Sequence, residues 1–348
     1  MSFISNDMIK KIENIIPKHI NNQQVPKDVL VIINDYIPKL NDGNIRKIVK
    51  DYLSKNENKK QQVINKYGSI NNWDVSQVTD MNGLFWCKDD FNQPLNNWDV
   101  SNVTNMNSMF SHASNFNQPL NNWNVSNVTS MKYMFYHAYN FNQFINNWNL
   151  SQVTTMKAMF ESTIKFNQPL NNWNVSNVTN MSYMFKDTDS FDQPIDNWNV
   201  SSVTNMKTMF NYAKKFNQPL NNWNVSNVTN MLEMFFAAIQ FNQPLNNWNV
   251  SNVKNMNNIF DNTTQLNHTP YICIRLDMFD LSNMQELPYT QATTLGIEQP
   301  QNNWNVSNIC LENLIKNAYG DEERLSDSNE SVFNELNELD EIHNTIYS

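Results

Sequence analysis

The sequence predicts an α/β repeat solenoid, with one short strand and one short helix in each 25-residue coil and a helical cap at the N-terminal end. Three observations carry this reading. Tryptophan falls at 73, 98, 123, 148, 173, 198, 223 and 248, a column spaced by 25 without a slip. Around each Trp the text F-N-Q-P-L-N-N-W-N-V-S-N-V-T-N-M-x-x-M-F-x-x-A recurs. Within that text the apolar spacing changes from alternation to a helical one. A fixed period of this length marks an architecture of stacked repeats.

The elements follow in order along the chain. Residues 1–68 read as helical. Met8, Ile12, Ile15 and Ile16 form one apolar stripe, which ends near Pro17. Val29, Ile32, Ile33, Tyr36 and Ile37 form a second, stopped by Pro38. Ile45, Ile48, Val49, Tyr52 and Leu53 form a third. Residues 69–260 are the regular array. In one unit Leu120, Trp123 and Val125 predict a strand. Met131, Met134, Phe135 and Ala138 fall at i, i+3, i+4 and i+7 and predict a short helix, with Thr129 as its N-cap. One such unit exposes too much of its apolar face to stand alone, so neighbours must stack and share a core. The structural core is expected at Trp73, Trp98, Trp123, Trp148, Trp173, Trp198, Trp223 and Trp248, and again at Trp304. Residues 261–296 lose the pattern and read as an irregular insertion. Residues 297–320 restore it as a terminal coil, closing on Leu311, Leu314, Ile315 and Ala318. Residues 321–348 are an acidic tail in which Phe333, Leu336, Leu339 and Ile342 keep helical spacing.

Composition excludes several classes. Charged residues are 16% of the chain, against a usual ~25%. Gly occurs 5 times, which argues against Gly-rich phosphate loops. No run approaches the ~18 apolar residues of a membrane helix. The first residues carry charges throughout and show no secretory signal, so an intracellular protein is expected. The head, 1–68, holds 12 Lys/Arg against 7 Asp/Glu, and the tail holds 9 acids against Arg324. The array between them is nearly neutral, so no nucleic-acid partner is expected. Cys87, Cys273 and Cys310 are few and lack metal spacing, which fits a reducing compartment.

The text W-N-V-S-N-V-T-N-M-x-x-M-F, nearly verbatim from Trp73 to Phe260, resembles the BspA-type leucine-rich-repeat family. That family is first known from bacterial surface proteins and occurs also in protists and giant viruses. The resemblance implies a right-handed, leucine-rich-repeat-like solenoid, and Tyr67–Trp73 resembles the lead-in of such arrays. It also implies a capping helix within 45–66. Together with Asn-, Ile- and Lys-rich usage, it implies a protist or giant-virus source, and for a virus a virion or host-cytoplasm location. The run Val25–Pro38 resembles the opening of an F-box, which implies a substrate adaptor for a ubiquitin ligase.

No catalytic motif and no cofactor signature appears. His112 and His137 share one repeat column and are expected to lie in adjacent coils, but Ser162 and Asp187 follow them, so no metal site is expected. Asn97, Asn122, Asn147 and Asn172, with Asp99, Asn124, Asn149 and Asn174, form polar columns that point outward. Such columns read as a structural amide ladder. A polar strip for a repetitive glycan is the functional alternative. Variety is confined to the positions between and after the Met-Phe columns. There Trp86, Tyr133, Tyr136, His137, Tyr139, Tyr183 and Phe236 are the candidate partner-binding residues, because exposed aromatics favour protein interfaces. The expected function is a non-enzymatic protein-interaction scaffold. The alternatives are an F-box-like adaptor and a glycan-binding surface or adhesion protein.

Overall fold

The computed structural model describes residues 38–264, residue 246 apart. The first two apolar stripes, the F-box-like run up to Ile37, most of 261–296, the 297–320 stretch with Trp304, and the acidic tail lie outside the described residues.

Two helices open the described chain. Helix α1, Ile45–Tyr52, carries the third apolar stripe and buries Ile45, Val49 and Tyr52. Helix α2, Glu57–Tyr67, starts at Asn56, whose side chain accepts the Lys59 N–H at 3.2 Å. Glu57 in its first turn and Lys66 in its last suit the helix dipole. Gly68 ends it at φ +72°, a left-handed conformation that costs glycine no Cβ clash. Tyr52 meets the Trp73 ring edge-on at 5.2 Å, which ties α1 to the first Trp of the array.

The 25-residue units then stack in register. A single parallel bridge joins each unit to the next in one column, from Asp80–Asn105 through Ser130–Thr155 to Asn230–Asn255. Backbone N–H groups reinforce it. Those of Met131, Tyr133, Phe135 and His137 reach the carbonyls of Thr155, Lys157, Met159 and Glu161 in the following unit, at 2.9–3.2 Å. Those of Met134, Tyr136 and Ala138 reach back three residues to Met131, Tyr133 and Phe135.

This pattern corrects the expected conformation of the unit. No helix forms over Met131–Ala138, and no extended strand forms at Trp123–Val125. An α-helix needs its amides for carbonyls four residues back. Here alternate amides go to the next unit, so the segment becomes a string of tight turns. Two turns per unit place a left-handed residue third, the type II pattern. Those positions are Tyr133 (φ +56°) and His137 (φ +55°) in one unit, and Ser108 (φ +51°) and His112 (φ +57°) in the unit before. Nor is Thr129 a helix cap. Its N–H and hydroxyl both donate to the Thr104 carbonyl, at 2.8 and 3.1 Å, and Thr154 repeats this on Thr129.

The inward side chains form continuous columns. The eight Trp of the 25-residue column, from 73 to 248, are at most 3% exposed. Trp148 Nε1 donates to the Leu120 carbonyl 28 residues back at 3.1 Å, and Trp123, Trp173, Trp198, Trp223 and Trp248 do the same in their own units. Phe85, Phe110, Phe135 and Phe160 stack at 5.5–5.7 Å, and the parallel column Phe91, Phe116, Phe141, Phe166 at 5.8–6.0 Å. Met131, Met134, Phe135 and Ala138 are all fully buried. The i, i+3, i+4, i+7 spacing thus marks the core face correctly, although turns rather than a helix deliver it.

An amide ladder runs beside the Phe columns. Asn142 N–H donates to Asn117 Oδ1 at 3.0 Å, and Gln143 Nε2 donates to the same oxygen at 2.9 Å. Asn167 with Gln168 repeats this on Asn142, and Asn217 with Gln218 repeats it on Asp192. At the N-terminal edge the first unit has no predecessor, and Asp42 replaces it. Its carboxylate accepts the N–H groups of Thr79 and Asp80 and the Thr79 hydroxyl, at 2.6–3.0 Å. Burial alone would raise the Asp42 pKa. These bonds and the nearby Arg46 outweigh burial and lower it. Arg46 also pairs with Asp80 at 2.9 Å and donates to the Asn82 carbonyl.

Two outcomes follow. Ser108 is fully buried in a left-handed conformation, and its hydroxyl meets no partner among the described residues. Gly83 fills the same column one unit earlier. Ser108→Gly should therefore raise stability by about 1 kcal/mol, read from urea denaturation. Trp148→Ala should lower it by about 3–5 kcal/mol, because the indole fills one layer of the core and bonds the unit behind it.

Candidate functional site

The turn pattern decides which side chains face outward. Met131, Met134, Phe135 and Ala138 point into the core, so residues 132, 133, 136 and 137 of that unit form the opposite face. Repeated through the array, these four columns make one continuous strip, in which Ser108, Ser111, Ala158, Ser182 and Thr208 are buried along with the rings of Tyr133 and Tyr183. The inward columns hardly vary, whereas the outward ones read Asn-Ser-Ser-His, Lys-Tyr-Tyr-His, Lys-Ala-Glu-Ser and Ser-Tyr-Lys-Asp in successive units from 107 onward.

Tyr133, Tyr136, His137 and Tyr139 form one connected cluster. Tyr133 meets Tyr136 edge-on at 5.7 Å, and Tyr136 lies 4.2 Å from the His137 ring. His137 stacks on His112 of the preceding unit at 4.9 Å with 14° between planes. Each imidazole is oriented through Nδ1, His137 by the Tyr139 hydroxyl at 2.8 Å and His112 by the Ser111 hydroxyl at 3.1 Å.

Of the other candidates Tyr183 joins this cluster, whereas Trp86 and Phe236 lie in other units. Tyr183 shares the buried Ala158 with Tyr133. Trp86 is two units before Tyr136 in its column, and Phe236 is four units after it, 5.6 Å from Tyr212. Tyr133 and Tyr183 also correct the expectation of exposed aromatics. They are only 4% and 6% exposed, packed with the buried Ala158, and lysine ammonium groups lie over both rings. Tyr212, at 42%, is open within the strip, and Tyr139, at 38%, is open beside it.

The lysines are what sequence reasoning missed. Lys157 Nζ sits 5.3 Å over the Tyr133 ring, while Lys207 and Lys186 sit 5.3 and 5.7 Å over Tyr183. Lys132, Lys157 and Lys207 share one repeat column, so aligning the variable columns by charge exposes them. Lys186 also pairs with the buried Glu161 at 3.0 Å. Asn211 Nδ2 donates to Glu233 at 3.3 Å.

The electrostatics of the strip favour neutral histidines. Burial lowers the His112 pKa, against the pull of Asp89. Burial, then the charges of His112 and Lys186, bring His137 down to about 4. Burial raises the Asp187 carboxyl, with Asp189 adding to it and Lys186 and Lys214 opposing. Among the described residues no group of three or more His, Cys, Asp or Glu side chains is arranged to hold a metal ion. No helix there is long and apolar enough to cross a membrane.

The outward Asn columns are engaged locally. Oδ1 of Asn124, Asn149, Asn174 and Asp99 accepts the N–H two residues on, at 3.1–3.2 Å. Asn122 and Asn172 give their N–H groups to Asn96 and Asn146, and Asn147 donates its amide to the Asn121 carbonyl.

The depressed pKa of His137 sets a pH dependence. The neutral imidazole is favoured in the folded chain, so the stabilisation is complete above the unfolded value near 6.5. It is lost as pH falls from there towards 4, because the unfolded chain takes up the proton first. The thermal midpoint should therefore drop between pH 7 and pH 4.5, and His137→Asn, which tolerates the left-handed backbone, should shrink that drop.

Two stretches of the chain, residues 53–172 and 154–272, match one family in tandem, described as Mycoplasma protein of unknown function, DUF285. No curated protein and no solved structure matches the chain. The two matches together span more than half of the 348 residues and cover the stacked units, so the chain belongs to the DUF285 family.

Proposed function

We propose that the chain is a non-enzymatic protein-interaction scaffold, built as a repeat solenoid of the leucine-rich-repeat-like, BspA-type kind. One observation carries the reading. A constant set of inward columns supports the columns of 132, 133, 136, 137, 139 and 140, on which most of the variety of the repeat is concentrated. Variation of this sort writes distinct contacts without disturbing the stack.

The centre of the strip is suited to a protein partner. Tyr136, His137 and Tyr139 are held by ring contacts and a hydrogen bond, so little side-chain freedom is lost on binding. Tyr is also among the residues that dominate interface energies. The Asn columns offer weaker support for a glycan, because many of their oxygens already accept backbone N–H groups.

The test compares binding of a partner, captured from native lysate with the full chain, to two surface variants. Tyr136→Ser/Tyr139→Ser should weaken binding by about 10- to 30-fold, the loss of one hot spot. Asn122→Ala/Asn147→Ala should leave it within about twofold, with circular dichroism confirming that both variants fold. Loss of binding in the Asn variant alone would overturn this reading in favour of the polar columns.

A further inference from the structure

The most exposed large apolar side chain among the described residues lies off the strip. Phe144 is 48% exposed, while its neighbour Ile145 is fully buried. The Phe144 column holds Pro in the other units, at 94, 119, 169, 194, 219 and 244. A single exposed ring is ordinary on a protein surface. This one replaces a pyrrolidine that the repeat otherwise keeps, and the stack gains no core contact from the change.

Side-chain amides frame the ring. Gln143 Nε2 donates to Asn117 Oδ1 at 2.9 Å, and Asn147 Nδ2 donates to the Asn121 carbonyl at 2.6 Å. Both bonds run to the preceding unit, where the exposed Pro119 falls between their acceptors in sequence. They fix the two amides and present Gln143 Oε1 and Asn147 Oδ1 as oriented acceptors. The surroundings are neutral. Residues 91–98, 116–123, 141–148 and 166–173 are the same columns in successive units, and they contain no Asp, Glu, Lys or Arg.

These properties select the ligand. A charged polymer finds no countercharge in these columns. A protein interface gathers several apolar anchors around a dry centre, and here one ring stands among amides. A sugar ring meets both halves of the site. Its C–H face is attracted to the negative face of an aromatic ring, and its hydroxyls donate to amide oxygens. We propose that Phe144, framed by Gln143 and Asn147, binds a neutral polysaccharide, with the aromatic ring stacked on one sugar and the two amides accepting from its hydroxyls. The units repeat these columns at ~4.8 Å, so a linear chain laid along the stack meets further amides and prolines on either side. The site uses other columns than Tyr136 and Tyr139, and it stands whether or not the strip binds a protein.

Affinity electrophoresis of the full chain tests this. Native gels are cast with neutral polymers (hydroxyethyl cellulose, laminarin, galactomannan or dextran) or with anionic ones (polygalacturonate or heparin). Retardation by at least one neutral polymer and by neither anionic one is expected. With that neutral polymer, Phe144→Pro, which restores the residue of the other units, should weaken binding by about tenfold or more, and Phe144→Trp should keep it. Tyr136→Ser/Tyr139→Ser should leave it within about twofold, which separates this site from the protein-binding strip. The thermal midpoint of each variant checks that it folds. No retardation in any neutral gel, retardation by the anionic polymers alone, or equal retardation of the unchanged chain and Phe144→Pro would each overturn the proposal. So would loss of retardation in the Tyr136/Tyr139 variant alone.

Discussion

The donation of alternate backbone N–H groups from one unit to the carbonyls of the next is the constraint on which the rest of the structure depends. Met131, Tyr133, Phe135 and His137 each give their amide forward by 24 residues. Once those donors are committed, the chain cannot close a helix, and the remaining amides close tight turns instead. Two residues per unit are then driven to positive φ. Non-glycine side chains at such positions cost on the order of 1–2 kcal/mol each, and the array carries this cost repeatedly. It persists because every unit is held on both sides by hydrogen bonds and stacked rings, so relaxing one position would disturb its neighbours.

The same commitment separates core from surface. Turns that bring Met131, Met134, Phe135 and Ala138 inward place residues 132, 133, 136 and 137 on the other side. The inward columns then stack Phe on Phe and Trp on Trp across successive units, and a change of volume in one layer is felt by the next. The outward columns face no such requirement. This explains why Tyr, His, Lys, Glu and Asp succeed one another there while the core text barely changes. It also explains the N-terminal edge. A stack of this kind leaves donors unpaired at its first unit, and Asp42 and Arg46 supply the missing acceptor and cation just before α1 and within it.

Much of this was legible in the text. The period, the Trp column and the buried Met-Phe positions follow directly from spacing, and the third apolar stripe coincides with α1. The shared column of His112 and His137 was also readable, and their rings do stack. Spacing alone predicts a helix at Met131–Ala138, because turns and a helix can bury the same i, i+3, i+4, i+7 pattern. The role of Thr129 differs from its expected one for a related reason, since a Thr ahead of an apolar stripe signals a cap only if a helix follows. Spacing does not reveal the burial of Tyr133 and Tyr183, because Lys157 and Lys207 reach these rings from the following unit.

By itself the sequence determined the register of the repeat and the identity of the core, because apolar side chains must leave water and a strict period lets them do so only in columns. Only the tertiary structure decided the backbone conformation and the accessible aromatics. An amide chooses between a carbonyl in its own unit and one in the next, and that choice depends on a neighbour 24 residues away being in place. The same neighbour decides whether a tyrosine stands in solvent, like Tyr139, or lies under a lysine, like Tyr133.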